Sequence, residues 1–588
     1  MAATERASRA GNAGEPCQKR GPLVVKQTVT WTAKTCSPIC RPRWLSRGAL
    51  MVSHPGVRQV QSNVGPTPFW PLLRSGYLWS FCRSPSGTGS AVLAPPTFGM
   101  AMNTVRRALL LSSGERYLTI AFNFATMAAV SRILTPGEVG VSVICLAILG
   151  MAMSAREFAS SSFIIQHPSL SRKDIRGAFS LMLTVSLGIS VLLVAAAPAL
   201  ASSFGEKELV PYLRVVSVCV VVDTVAIQVI ALLRRDMAFG KVALINVSGA
   251  ATAGIATVVL ALAGFSYMSF AWAWFACSVV TALLALVLWP HLWMFKPTFS
   301  QWRGMTAFGG YNGAMVLLSK AYEALPPLLL GRMISPGAAA LFSRGLTVCQ
   351  IPDKLILGGA ISVVLPAFSQ SLREGSNLKR PYLGALEMIT CLHWPVLLVL
   401  AALSYPAVDI LLGRQWKEAA LLVQIIAVAS LFSFSFELNY PVMVAMGSIR
   451  DMFLRTLIVI PVSIAVMAAA ILSGGLHGAA LSLMFIVPFQ AFVTLSFVRR
   501  RLSIKWRELA AAVSKSAVVA AASMVGPAAV LIANGLDFQL SLGQAVFAGA
   551  LAAAGWICGL VATRHPLLDE MLGALRVFRH AAALRFSF

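Results

Sequence analysis

Charge is what this chain has least of. Asp, Glu, Lys and Arg make up only 12% of its 588 residues, where a soluble domain carries about a quarter. With 57% apolar residues and a mean hydropathy of +0.76, too little polar surface remains to cover a water-soluble body of this size. The ten cysteines are scattered, and no neighbouring Cys or His completes a zinc spacing around the closest pair, Cys36 and Cys40. This excludes a disulfide scaffold and a zinc module. Cys145, Cys219, Cys277, Cys349, Cys391 and Cys558 lie in apolar runs and read as small buried hydrophobes. The sequence lacks a G-x-x-x-x-G-K-[ST] phosphate loop and an H-E-x-x-H pair, and it has no large polar insertion between its apolar runs. An ATPase, a zinc protease and an inserted glycosyltransferase are thereby excluded, and no catalytic residue, cofactor or metal is expected.

What the chain does have is long apolar runs, from about residue 117 onward. They make it an all-α polytopic membrane protein. Fourteen spans are expected, at 117–134, 139–165, 177–203, 211–233, 242–264, 267–290, 307–331, 338–368, 382–412, 418–446, 453–473, 476–498, 509–533 and 542–562. Twelve spans plus an accessory hairpin describe the same text equally well. Residues 1–101 are different in composition, rich in Pro, Ser, Gly and Arg, with 12 basic and two acidic side chains in the first hundred residues. They read either as a disordered tail or as text upstream of a true start near Met100 or Met102.

The net charge of +26 would suggest nucleic acid in a soluble protein; here its distribution points to topology. With the N-terminus inside, the loops after even spans hold 18 basic residues, among them Lys173, Arg235, Arg380, Arg455 and Arg499 to Arg501. Those after odd spans hold six: Arg132, Lys207, Arg214, Arg332, Arg414 and Lys417. Such an alternation places both termini in the cytoplasm, and no nucleic-acid partner is expected.

Ser131-Arg132-Ile133-Leu134-Thr135-Pro136-Gly137 recurs 200 residues later as Gly331-Arg332-Met333-Ile334-Ser335-Pro336-Gly337. Each copy joins an odd span to the next even one. An even number of spans per copy preserves orientation, so spans 1–6 and 7–12 read as parallel repeats. In each copy Pro should start the second helix and Gly permit a tight hairpin. The expected organisation is a leader at 1–101, six-helix lobes at 102–300 and 301–500, and a helical hairpin with a basic cytoplasmic tail at 501–588.

Ser131 to Gly140, its echo at Gly331 to Gly337, and Leu365-Pro366-Ala367-Phe368-Ser369-Gln370 resemble the oligosaccharide flippases of bacterial envelope polysaccharide synthesis. These belong to the multidrug/oligosaccharidyl-lipid/polysaccharide exporter superfamily. The resemblance covers about residues 103–500. It implies two six-helix lobes around a central cavity, alternating access, and movement of a polyprenyl-diphosphate-linked repeat unit across the bacterial inner membrane. It also implies a coupling proton or sodium ion, and polymerase and chain-length partners. The alternatives are a cation-coupled multidrug antiporter of the same superfamily and a membrane enzyme acting on lipid-linked sugars; the short outer loops speak against the enzyme.

Charges within spans are costly and mark candidate sites. Arg156, Lys320, Arg344 and Lys354 are candidates to hold a diphosphate, since cations offer it attraction and hydrogen bonds. Glu157, Asp223, Glu323, Asp353 and Glu437 are candidates to carry a coupling proton or ion. Lys320 and Glu323 share a helix face, just before Pro326-Pro327, which should kink the helix. Arg344 and Asp353 are nearly opposite on a helix and should serve different partners. Glu387 and His393 lie early in span nine. Tyr267, Trp272, Trp274, Trp289, His291 and Trp293 read as interface anchors.

Overall fold

The computed structural model describes residues 98–156, 171–298, 302–354, 368, 370–375, 377–573 and 576. Residues 1–97 of the leader, Glu157 and most of the segment 365–370 lie outside them. All regular structure among the described residues is helical. The first group is α1 (Phe98–Ile133), α2 (Pro136–Ser154), α3 (Arg172–Phe204), α4 (Leu209–Arg235), α5 (Phe239–Leu262) and α6 (Met268–Leu288). The second is α7 (Trp302–Met333), α8 (Pro336–Cys349), α9 (Lys379–Ala402), α10 (Ser404–Leu411), α11 (Glu418–Ala429), α12 (Phe434–Glu437), α13 (Asn439–Ala445) and α14 (Ile449–Leu502). The chain closes with α15 (Trp506–Ala533) and α16 (Leu542–Thr563).

The chain is a multi-pass membrane protein. Among the described residues nine helices are long and apolar enough to cross a bilayer, or ten if the pair 418–432 and 434–445, bent by 41°, is one span. Helices follow the expected order; the count takes the long α14, which folds back on itself, as one, and among the described residues it stays below the fourteen spans expected. Large apolar side chains face outward, as lipid contact requires: Val287 and Leu472 are 74% and 76% exposed.

Several expected spans are built differently. Span nine divides at Leu403 into α9 and α10, and span ten into α11, a tight turn at Ser430–Phe432, α12 and α13. Pro326 and Pro327 sit inside an α7 that runs unbroken, so the expected kink is no break in the helix. The 54-residue α14 is two helices, divided at Gly475 with φ 56° and ψ −136°, a backbone that a side chain would strain. Its arms fold back antiparallel, as the expected spans 453–473 and 476–498 require. Arg501 Nε lies 2.5 Å from Asp451 Oδ2, Arg455 Nε donates to Thr494 Oγ1 at 2.9 Å, and Gln490 Nε2 to Ser463 Oγ at 3.2 Å.

The repeated motif makes the same corner twice. Thr135 and Ser335 are extended N-caps whose hydroxyls accept from the third backbone N–H of the next helix, with Pro136 and Pro336 in first position. Glu138 closes a capping box on Thr135 at 2.8 Å. The expected role of the motif glycine is wrong. Neither Gly137 nor Gly337 has a positive φ; the caps and prolines make the turns.

The glycines matter where the corners cross. A β-carbon on Gly140 would lie 2.0 Å from the Pro336 carbonyl oxygen, and one on Gly331 would lie 2.5 Å from Ile144 Cδ1. The two repeats therefore meet backbone to backbone, α2 against α7 and α8. Otherwise each repeat packs mainly within itself: α1 on α5, α5 on α6, α3 on α4, and in the second α8 on α11, α11 and α7 on α14.

A segment of the second repeat clasps the first corner. Trp416 is wholly buried and donates its indole N–H to the Ser131 carbonyl at 2.6 Å. Gln415 donates to the Leu134 carbonyl at 2.8 Å, and Arg132 to that of Ile410 at 2.7 Å. The first two bonds cap carbonyls at the end of α1 that the helix cannot satisfy itself, and the third caps one at the end of α10. The C-terminal hairpin docks on α9: α15 and α16 pack on each other, and α15 on α9. Trp556 donates to the Cys391 carbonyl at 3.1 Å and Ser516 to that of Glu387 at 3.0 Å.

Candidate functional site

Three cavities border helices that bear the candidate charges. The first, of about 390 Å³, is lined by α1, α2, α4, α5 and α6, and by Arg344 from α8. The second, about 470 Å³, is lined by Arg116 of α1, Tyr322 of α7, Gln350, Asp353 and Lys354 past α8, and Ser433. The third, about 290 Å³, lies where α7 and α8 face α2, and Lys320, Glu323, Gly150 and Ser343 border it.

Lys320 and Glu323 are paired as their spacing predicts. Nζ lies 2.6 Å from Glu323 Oε2, and the side chains are 46% and 61% exposed. The cation is thus held at a surface open to the cleft between the repeats. Gly150 of α2 borders the same cleft, with open space where a β-carbon would lie.

Arg344 stands near the middle of α8. It lies inside, its guanidinium 5.9 Å from the centre of the Trp416 ring, and its buried Nε has no hydrogen-bond partner. Among the described residues no carboxylate pairs with it. An arginine of the second repeat therefore borders the cavity of the first. Asp353 turns to another partner: His393 Nε2 stands 2.8 Å from its Oδ1. The reading that Arg344 and Asp353 serve different partners matches this geometry. Lys354 is exposed beside Asp353.

In the first repeat, Asp223 of α4 accepts from the Trp274 indole N–H at 3.2 Å, within the electrostatic reach of the buried Arg156. Trp274, expected as an interface anchor, instead faces inward and borders the first cavity. Trp272, two positions earlier, is 41% exposed and keeps the expected outward place. Glu437 stands at the end of α12.

Sequence reading missed four members of these surfaces. Arg116 was one residue outside the expected first span, yet α1 begins at Phe98 and carries it into the bundle. His393 was noted without a partner. Arg455, counted among loop cations, faces inward, 5.5 Å from the Phe436 ring centre. Gln490 donates to the Tyr322 hydroxyl at 2.6 Å. Polar residues spaced along the 449–502 hairpin were the available signal.

Comparison with known proteins places this architecture. The family described as "Polysaccharide biosynthesis protein" matches residues 129–421, about half the chain. The succinoglycan biosynthesis transport protein ExoT of Rhizobium meliloti is 25% identical over 308 residues, 51% of this chain and 61% of that one. The lipopolysaccharide biosynthesis protein WzxC of Escherichia coli is 21% identical over 318 residues, 53% of this chain and 64% of that one. The chain thus spans about three-fifths of the length of the curated relatives it matches. Among solved structures, the lipid II flippase MurJ in an inward closed conformation superposes with a TM-score of 0.64 at 12% identity, over 77% of this chain and 98% of that one. An inward-facing multidrug resistance MATE transporter gives 0.54 at 16%, over 67% and 98%. At these identities the likeness is one of fold. Residues 129–421 thus match the polysaccharide biosynthesis protein family, in a chain whose fold is that of MurJ and the MATE transporter.

Proposed function

We propose that this protein moves a polyprenyl-diphosphate-linked oligosaccharide across the bacterial inner membrane for exopolysaccharide, O-antigen or capsule synthesis, without itself making or breaking bonds. A sugar-diphosphate head cannot cross hydrocarbon unaided, because its hydroxyls and charges would lose their water. Two lobes, 102–300 and 301–500, that open alternately can shelter the head while the prenyl tail stays in lipid. The observation that carries the reading is the Lys320–Glu323 pair, exposed to the cleft where the two repeats meet. A cation there can leave its internal carboxylate for a diphosphate at little cost, because an exposed ion pair is worth at most about 1 kcal/mol. Arg344, Lys354 and Arg156 extend the cationic lining; Asp223, Asp353, Glu157 and Glu437 are the acidic groups available to a coupling proton or sodium ion. The names of the relatives, a succinoglycan transport protein and a lipopolysaccharide biosynthesis protein, support this cargo class. Both termini are cytoplasmic in this reading, and a polymerase and a chain-length protein act on the delivered units.

The test is leaflet-resolved labelling of lipid-linked sugars in cells. Lys320→Ala should accumulate at near-normal level yet leave repeat units on the cytoplasmic leaflet, a loss of at least about tenfold in flipping. Normal flipping by a well-expressed Lys320→Ala protein removes the lysine from the mechanism.

A further inference from the structure

In the cavity beside Lys354, Asp353, one of the acidic groups named above, meets a histidine with no part in the account so far. Asp353 lies in the short helical segment 351–354 that follows α8, and His393 in the middle of α9. His393 Nε2 is 2.8 Å from Asp353 Oδ1 and 3.3 Å from the Ser433 hydroxyl. The aspartate side chain is 23% exposed and the imidazole 2%. Asp353 therefore borders the cavity, and His393 sits behind it, shielded from water. Among the described residues two other charged groups border this cavity, Arg116 from α1 and Lys354, and Arg455 of α14 stands behind its Phe436 wall. Its remaining titratable neighbours are the Tyr322 phenol of α7, bonded by Gln490, and the Cys349 thiol of α8, directed at the Val423 carbonyl. Of the other elements around α9, α11 offers only Glu418, in its first turn, and α12 carries Glu437. α15 brings Lys515, and the segment past α16 brings His565, to Glu387, nearly two turns away from His393. Among the described residues no group of three His, Cys, Asp or Glu is placed to hold a metal; a carboxylate against an imidazole is suited to hold a proton.

A carboxylate and an imidazole at this distance bind one proton more or one fewer. Whichever of them holds the extra proton, the pair changes from a net negative charge to none. Without it, Asp353 offsets one of the two cations that border the cavity; with it, both act on an anion. Histidine is the side-chain type whose charge changes near neutral pH. We propose that Asp353 and His393 form a proton-binding site that sets the charge of this cavity, so that uptake of one proton tightens its hold on an anionic head group. The identity of that anion rests on the transport reading. Linkage then works in both directions: bound anion favours the protonated pair.

The experiment uses the purified full chain and a short-prenyl diphosphate sugar, a probe whose own charge is constant near neutrality. Its affinity should rise about tenfold from about pH 8 to about pH 6. His393→Gln should hold it near the weak value at both pH values, since the carboxylate can no longer be compensated. Asp353→Asn, which changes a cavity-bordering side chain and spares the buried one, should hold it near the tight value. These opposite plateaus separate a charge-setting site from a merely structural contact, whose loss weakens binding in both variants, and that result would overturn the proposal. So would wild-type affinity that ignores pH, or a His393→Gln protein that keeps the full pH dependence. Absence of probe binding at either pH overturns the transport reading itself, and the inference with it.

Discussion

Lys320 can act as a switchable contact because its pairing with Glu323 is local and wet. Two long side chains three residues apart need no support from the rest of the fold, and water screens them. Lys320→Arg should keep part of the flipping activity, because charge survives while the geometry of the contact changes; leaflet-resolved labelling measures it. Glu323→Gln leaves the lysine without its internal partner, so the affinity for a short-prenyl diphosphate sugar should rise by a few fold, in keeping with a pair worth less than about 1 kcal/mol. Unchanged affinity in that variant would mean that the two side chains do not compete with cargo. The pair was legible in the sequence, since i and i+3 fix a shared face whatever the tertiary structure. The Asp353–His393 contact was not: it joins residues 40 apart in the chain, across a break after α8 that hydropathy does not mark.

At the scale of elements, two contacts carry predictions. The first is the crossing of the repeated corners. Gly140→Ala puts a methyl group into the Pro336 carbonyl and should cost about 1–3 kcal/mol, seen as lower accumulation and an earlier thermal transition. Gly137→Ala, with nothing within 4 Å of the added carbon, should be tolerated. Equal behaviour of the two variants would contradict the backbone-to-backbone crossing. The sequence displayed both glycines in one motif, and only packing tells them apart.

The second contact docks the C-terminal hairpin. His565 Nδ1 accepts from the Leu567 N–H at 3.2 Å, and its Nε2 meets the Ser516 hydroxyl at 3.3 Å, so the bonded form is neutral. Burial, with Lys515 nearby, lowers its pKa from the usual 6.5. The folded protein thus binds this proton less readily than the unfolded chain, and the stability it contributes is full above pH 6.5 and is lost as pH falls through the lowered value. Limited proteolysis between α15 and α16 should accelerate on acidification, and His565→Gln should flatten that dependence. An acid-insensitive wild-type hairpin would contradict the assignment. Composition offers only an accessory hairpin here; its titratable anchor is a histidine past the last span, beside the Trp556 and Ser516 bonds to α9.

At the scale of the molecule, apolar runs, charge alternation and the repeat gave the helical order, because each is a property of the chain alone: lipid contact needs apolar length, and the caps need Thr or Ser before Pro. What stayed hidden was where long elements break and which polar side chains turn inward. Trp274 and Arg455 have the same local context whether they face lipid, water or the bundle, and only the neighbours Asp223 and Thr494 decide. The charge alternation makes its own prediction. Reporter fusions at Lys173, Arg235 and Arg380 should read cytoplasmic, and those near Lys207 and Gly475 on the opposite side. An opposite-side signal from Arg235 would break the assigned topology.

Transport of a lipid-linked diphosphate sugar is the claim on which the rest depends. The most direct measurement places the purified full chain in liposomes that hold such a lipid, labelled in one leaflet, and follows the label's appearance in the other. The account predicts transfer far faster than in protein-free vesicles, and a rate that falls at least about tenfold in Lys320→Ala protein. Vesicles that show no transfer above background, while the same protein drives export of organic cations, would contradict it and assign the chain to the multidrug antiporters.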